Sequence, residues 1–134
     1  MQTIEENLAE DDALETLQTA GRLIMENGGE TYRVEETVVR MGRAFGLENV
    51  ESFAVPSGVF VSYACSDGSL QTAVLRVHRG ETNLACVDEV NRVSREVEAG
   101  ILDWEQATEA LKTISEAKGR ENQGVRILAA GLCA

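Results

Sequence analysis

Charged and polar side chains concentrate in residues 27–37, where one predicted helix ends at a glycine pair and the next begins. Five of them can do chemistry: Glu30, Tyr32, Arg33, Glu35 and Glu36. Free backbone N–H groups at a helix start can hold a carboxylate, and a guanidinium can bind it through two parallel hydrogen bonds. Glu30 or Glu35 can receive an ammonium group. The segment is therefore a candidate pocket for an amino acid or a dicarboxylate.

The same residues also fit an ordinary exposed helix face. Glu30, Arg33 and Arg40 fall along one side of a helix, and Glu36, Arg40 and Arg43 make a neighbouring row. Surface ion pairs at this spacing contribute a few tenths of a kcal/mol each, about 0.3–0.5 kcal/mol. Spacing alone favours the exposed face over the pocket.

A second polar cluster lies at the end of the third predicted strand, where Arg76 and His78 share a strand face. It could pair with the acidic helix or receive an anion. His78 is the single histidine, and as a general base it requires a partner carboxylate. A small hydrolase that uses Glu30 or Glu35 with His78 is thus one alternative function. Ser57 lies in a Pro-Ser-Gly turn rather than a nucleophile elbow, so no catalytic residue is assigned.

Composition excludes several kinds of partner. The 134 residues carry a formal net charge of −11, which argues against nucleic acid and against anionic lipid head groups. The three cysteines, Cys65, Cys86 and Cys133, are widely spaced and have no neighbouring histidine. Neither a disulfide framework nor a zinc site is expected. No metal or cofactor is predicted, because phosphate-loop, zincin and EF-hand motifs are lacking in the sequence.

Hydrophobic patterns predict the order ααβββαα. Apolar periodicity indicates helices over residues 13–26, 30–45 and 83–99. The apolar stripe of the second is Val34, Val38, Met41 and Phe45, and that of the third is Cys86, Val90, Val93 and Val97. A fourth helix begins after Asp103, where Gln106 three residues later completes a capping-box pattern. Strands are predicted over residues 50–55, 59–65 and 70–78. On the second strand, one face is predicted to carry Val59, Val61, Tyr63 and Cys65, and the other Phe60, Ser62 and Ala64. Turn compositions between the strands favour an antiparallel meander. The predicted fold class is α+β, a small antiparallel three-stranded sheet covered by helices on one face, with an apolar C-terminal helix.

Three regions are expected along the chain: an acidic, flexible N-terminus over residues 1–12, a soluble α+β domain over 13–118, and a linker with the start of a membrane helix over 119–134. Residues 5–15 hold six carboxylates and no basic residue. Residues 125–134 are almost wholly apolar, although a membrane span takes about 20 residues. Composition leaves two interpretations of this tail, a truncated membrane helix or a core or dimer helix of a free-standing interaction domain.

Several segments, in this order, resemble the N-terminal soluble domain of the threonine/serine exporter family. The similarity runs from about residue 13 to the end and includes the Asn27-Gly28-Gly29-Glu30 run. Its segments are residues 20–24, 27–37, 55–62, 74–77, 83–84, 90–91, 105–107 and 127–131, together with Val87 and Gly100. The last segment is similar to the opening of the family's first membrane helix. One departure is the linker, which is often proline-rich and aromatic in the family but here has neither feature.

The resemblance implies a cytoplasmic domain that precedes membrane helices in the bacterial inner membrane. The family is assigned to export of small amino acids, and related two-subunit systems to dicarboxylates such as succinate. It implies a gating, coupling or substrate-recruiting role, with Glu30, Arg33 and Glu35 nearest that work. The expected partners are a small amino acid or dicarboxylate, the membrane domain of the same or a partner chain, and a second copy in a homo-oligomer.

Overall fold

The computed structural model describes the backbone of residues 2–132 and the side chains of residues 12–118. Side chains of the acidic N-terminus and of the apolar tail therefore lie outside the described residues. The elements are α1 (Gln2–Glu26), α2 (Thr31–Ala44), β1 (Glu48–Val55), β2 (Gly58–Ala64), β3 (Leu70–Arg76), α3 (Leu84–Glu98) and α4 (Trp104–Leu132). This order confirms the predicted α+β class.

The three strands form the predicted antiparallel meander, in the order β1-β2-β3. On β2, Val59, Val61 and Tyr63 are buried toward the helices, whereas Phe60 on the opposite face is exposed. This alternation confirms the assignment of inward and outward faces, because successive side chains on a strand point to opposite sides of the sheet.

The core lies between the inner sheet face and the helices. Val34, Val38 and Met41 of α2 are fully buried, and so are Val90 and Val93 of α3. These residues recur at three- and four-residue spacing, which places them on one face of each helix, as predicted. Phe45 at the end of the α2 stripe is only partly buried.

Side-chain caps set the starts of α3 and α4. Asn83 Oδ1 accepts a hydrogen bond from Cys86 N at 3.1 Å, which caps α3. At α4, Asp103 Oδ1 accepts from Gln106 N at 2.8 Å and Gln106 Oε1 accepts from Asp103 N at 3.0 Å. The second arrangement is the predicted capping box, which satisfies two backbone donors reciprocally.

Two helices are longer than the sequence indicated. Helix α1 begins at Gln2 rather than near residue 13, and α4 continues through residues 119–124, which were expected to form a linker. Carboxylates near a helix N-terminus are favourable because they face its positive dipole end, so an acidic run does not argue against helix. Within residues 2–132, no helix combines the length and apolar character needed to cross a bilayer.

Candidate functional site

Residues 26–29, called the corner below, join α1 to α2 with very little space. Gly28 has a φ of +87°, and Gly29 N donates to Ile24 O at 2.8 Å. A Cβ atom added to Gly29 would lie 2.4 Å from Ile24 Cγ2 and 2.8 Å from Ile24 O. The glycine pair is therefore required by backbone conformation at the first position and by close approach at the second.

The loop between β3 and α3 is fixed on the corner by main-chain hydrogen bonds. Gly80 N donates to Glu26 O at 3.0 Å, and Asn83 N donates to Asn27 O at 2.9 Å. Arg79 Nη2 adds a bond to Gly29 O at 3.1 Å. Since Asn83 also caps α3, α2 and α3 both begin at the corner.

A cleft of about 180 Å³ separates the exposed sides of α2 and α3. The two helices run in the same direction, because both begin at the corner and Arg40 late in α2 contacts Glu98 at the end of α3. The lining of this α2–α3 cleft comprises Ile24 of α1, then Tyr32, Arg33, Glu36, Thr37 and Arg40 of α2, and Val87, Asn91 and Arg95 of α3. Three guanidinium groups and one carboxylate give the walls a formal charge of +2. This is a local concentration of positive charge in a strongly acidic chain.

Arg40 links the two helices. Its Nη2 lies 3.0 Å from Glu36 Oε1 on α2, and its Nε lies 2.9 Å from Glu98 Oε2 at the end of α3. The two carboxylate side chains are 61% and 58% exposed, so solvent and salt screen both ion pairs. Arg40 is thus neutralised by weak, exchangeable contacts.

Arg33 and Arg95 are the cations of the cleft that remain available. Neither forms an ion pair with a carboxylate among residues 12–118. A contact with the Tyr32 hydroxyl is the main cause that raises the pKa of Arg33, and Asp88 and Glu30 add smaller electrostatic contributions. Arg33 is therefore a permanent cation at the mouth of the cleft.

These groups can bind carboxylates better than ammonium groups. Two guanidiniums without an ion-pair partner in the described part of the chain lie on opposite walls, Arg33 on α2 and Arg95 on α3, and the Asn91 amide also lines the cleft. The one wall carboxylate, Glu36, is already paired with Arg40. Guanidinium–carboxylate pairs are short, charge-assisted and frequently bidentate, which suits the cleft to small anions.

The structure places the predicted residues of α2 in different surroundings. Tyr32, Arg33 and Glu36 line the cleft. Glu35 does not, because its Oε1 accepts a hydrogen bond from Ala54 N of β1 at 3.1 Å. Glu30 is the exposed N-cap residue of α2 and makes no side-chain capping bond. Arg33 thus lines the cleft, whereas Glu30, which acts on it only electrostatically, and Glu35 do not.

Arg76, the last residue of β3, and His78, two residues beyond it, are exposed and do not line the cleft. His78 forms no ion pair with a carboxylate among residues 12–118. Glu35, one of its two expected partners, is bonded to the backbone of β1. The Glu/His pair that the hydrolase alternative required is not assembled in the described part of the chain.

Sequence reasoning missed the α3 wall of the cleft. Asn91 entered only through the family resemblance, without a role, and Arg95 was not singled out. A signal was present, because Val87, Asn91 and Arg95 recur every fourth residue and therefore share one helix side. What was missing was the knowledge that this side faces α2.

The chain is similar in sequence to known proteins. Residues 15–134 match the model of the family described as "Putative threonine/serine exporter". A relative from Escherichia coli strain K12, "Probable succinate transporter subunit YjjP", is 31% identical over 84 residues, which are 63% of this chain and 32% of the relative. The protein of the same name from Klebsiella aerogenes is 30% identical over 91 residues, 68% of this chain and 35% of the relative.

The chain spans about a third of the length of these curated relatives. No solved structure matches the chain. The family match, by contrast, covers all but the first 14 residues. The chain therefore belongs to the threonine/serine exporter family.

Proposed function

We propose that this chain is the cytoplasmic N-terminal domain of a bacterial inner-membrane exporter, and that its α2–α3 cleft recruits a small carboxylate-bearing metabolite. The pore is supplied by a membrane domain of the same or a partner chain. Family membership supports the exporter assignment, and the relatives named as transporter subunits support a multi-chain assembly. The observation that carries the recruiting role is the pair Arg33 and Arg95, two guanidiniums without ion-pair partners in the described residues, on opposite walls of one cleft.

A dicarboxylate fits the cleft better than threonine or serine. Each of the two arginines can bind one carboxylate in bidentate fashion. An amino acid offers one carboxylate and one ammonium group, and Glu36, the single carboxylate that lines the cleft among residues 12–118, is already paired with Arg40. The relative named for succinate supports the same ranking. Succinate is therefore the first candidate ligand, and threonine or serine the second.

The position of Arg40 supports a gating or coupling role. It joins α2 to α3 at the end of the cleft through its contacts with Glu36 and Glu98. A bound carboxylate competes with both glutamates for this guanidinium. Ligand binding then changes how the end of α3 is held, which is a signal that a membrane domain can receive.

Calorimetric titration of the 134-residue chain with succinate, L-threonine and L-serine tests the proposal. We expect succinate to bind with a dissociation constant on the order of 1 mM or tighter, and the amino acids about tenfold more weakly, the equivalent of about 1.4 kcal/mol. Arg95→Gln should weaken succinate binding at least about tenfold, because a charge-assisted hydrogen bond contributes about 1.5–3 kcal/mol. Circular dichroism verifies that the variants remain folded.

Arg92→Gln is the matched control. Arg92 lies on the same helix, pairs with Glu96 and does not line the cleft, so its loss should change affinity less than about twofold. Equal effects of the two substitutions would indicate non-specific attraction of anions. Tighter binding of threonine than of succinate would reverse the ranking of ligands. No heat for any ligand at about 10 mM would overturn the recruiting role, since even millimolar affinity gives measurable occupancy there.

The membrane arrangement needs the whole gene product. A protease added to spheroplasts should leave this domain intact, whereas inverted inner-membrane vesicles should expose it to cleavage. Cleavage in spheroplasts would place the domain on the other side of the membrane. A protein recovered only in the soluble fraction would contradict the exporter assignment.

A further inference from the structure

The strand β3 is an open sheet edge with an apolar surface. It is the last strand in the order β1-β2-β3, and its side chains Leu70 and Val74 are 69% and 62% exposed. Its pairing with β2 is regular over all seven residues, and Arg76 is its single charged residue. Exposed edges of this kind are templates for pairing with another strand unless a bulge, charge or covering element protects them.

The opposite edge of the sheet, strand β1, is protected in three ways. Helix α2 packs along β1, the register of β1 shifts between Glu48 and Glu51, and Glu35 occupies the outward N–H of Ala54. Among residues 12–118, these protections lie at the β1 edge and not at the β3 edge, so the β3 edge is accessible to a partner strand.

Main-chain N–H and C=O groups along a strand point alternately to its two sides, and this alternation shows which β3 residues can bond to another strand. Ala54 N points away from β2, toward Glu35, so its partner Val59 directs its main-chain groups toward β3. Val59 pairs with Leu75, so Leu75, Ala73 and Gln71 bond to β2. The intervening residues therefore direct their N–H and C=O groups outward: Leu70, Thr72, Val74 and Arg76.

We propose that two copies of this chain pair through β3 in antiparallel register about a two-fold axis at Ala73, which gives a continuous six-stranded sheet. In this register Thr72 faces Val74 of the second copy and Leu70 faces Arg76 of the second copy. Four hydrogen-bonded residue pairs, two bonds each, would give about eight main-chain bonds. Shifting the register leaves some of the outward groups unpaired, so this alignment uses the edge fully.

Charge at the two ends of the edge fits the same two-fold alignment. Arg76 of one copy comes beside Leu70 of the other, next to the turn that carries Asp67. The Asp67 carboxylate accepts hydrogen bonds from Ser69 N and Oγ, and these bonds lower its pKa, so it stays ionised at neutral pH. Because the axis repeats every contact, each end of the paired edge has one cation beside one anion.

Sedimentation equilibrium of the 134-residue chain over a concentration series tests the pairing. We expect a reversible dimer of twice 14.5 kDa, with a dissociation constant on the order of 10–100 µM because the contact is small. Thr72→Pro should abolish the dimer, since proline removes an outward N–H and is tolerated on an edge strand. Thr72→Val, which keeps that N–H, should leave dimerisation unchanged.

Two further variants keep the test decisive if Thr72→Pro fails to fold. Val74→Lys places a charge on the edge and should weaken the dimer at least about tenfold. Ala73→Cys places two thiols at the axis, in a non-hydrogen-bonded pair whose Cα atoms are about 4.5 Å apart, and should form a disulfide-linked dimer under mild oxidation. Gln71→Cys is the matched control and should not cross-link, because it faces Leu75 of the second copy.

A chain that stays monomeric up to about 1 mM would overturn the proposal, because edge pairing would then be too weak to matter. A dimer that tolerates both Thr72→Pro and Val74→Lys would place the contact elsewhere. Cross-linking through residue 71 but not residue 73 would contradict the register. Arg95→Gln serves as an independent check and should leave the dimer intact, so failure of the cleft and failure of the edge are distinguishable.

Discussion

The two halves of the segment 27–37 differ in the interactions that fix their residues in place. Asn27 and Gly29 are buried and fixed by main-chain contacts, whereas Arg33 and Glu36 are exposed and contact their surroundings through charged ends. The first half determines where the two cleft helices begin. In the proposed function, the second half determines which ligands the cleft attracts. Mutations in the two halves should accordingly separate the free energy of unfolding from ligand affinity.

Gly29→Ala should have the largest effect on stability. Its new Cβ meets Ile24 side-chain and backbone atoms at distances that require the corner to shift, which we expect to cost about 3 kcal/mol of unfolding free energy. Urea denaturation measures it. Gly80→Ala is the control, because its Cβ would meet only Glu26 O at 3.4 Å, and it should stay within about 0.5 kcal/mol of the wild type. Equal stability of the two variants would show that the corner is not tightly packed.

Asn27→Ala should have the next largest effect and lower the free energy of unfolding by about 2 kcal/mol. Asn27 is 2% exposed, and its Nδ2 donates to Leu23 O at 2.7 Å, so truncation leaves a buried acceptor unpaired. Asn91→Ala makes the contrast, since Asn91 lines the cleft. We expect it to change stability by less than about 0.5 kcal/mol while weakening succinate binding. Thermal unfolding and calorimetry measure the two quantities for both variants. A loss of stability in Asn91→Ala, or a loss of succinate binding without a loss of stability in Asn27→Ala, would contradict these roles.

Glu35→Ala tests the boundary between the two halves of the segment, because Glu35 lies in the charged half but contacts the backbone of β1. Loss of its bond to Ala54 N should cost about 1 kcal/mol, and Glu35→Gln should recover most of it because the amide oxygen still accepts. Succinate affinity should be unchanged in both variants. Weaker binding of threonine by Glu35→Gln would instead assign Glu35 the ammonium-receiving role expected from the sequence.

Arg40→Gln should have the smallest effect on stability. Its two ion pairs involve exposed carboxylates, so we expect less than about 1 kcal/mol, vanishing in 1 M salt. Succinate binding should nevertheless weaken. Arg43→Gln removes the same charge from the same helix outside the cleft and should change neither quantity. A salt-independent loss of stability in Arg40→Gln would mean that the contact with Glu98 is structural.

The sequence was sufficient for the fold because local patterns determine most of it. Period-two alternation on β2 and the capping box at Asp103 and Gln106 both reappear in the structure. The outer ends of α1 and α4 were misjudged because they were inferred from composition. A run of carboxylates and a glycine-containing polar stretch are compatible with helix, so composition could not locate those ends.

The candidate site was only half predictable, for a different reason. Tyr32, Arg33 and Glu36 share one helix with a visible period, so the sequence singled them out, and all three line the cleft. Asn91 and Arg95 face them only because the loop before α3 is bonded to the corner. Main-chain hydrogen bonds leave little trace in residue types, so the pairing of α2 with α3 could not be read from the sequence.

Anchoring both cleft helices at the corner also fixes how they can move. A rotation of α3 relative to α2 has its pivot at Asn27 and Asn83, so displacement is smallest there and grows along the helices. It is largest where Arg40 meets Glu98, the last residue of α3. The next element is α4, which is separated from α3 by five residues and runs from Trp104 to Leu132. Such a rotation would act as a lever, with its moving end next to the loop that leads into α4.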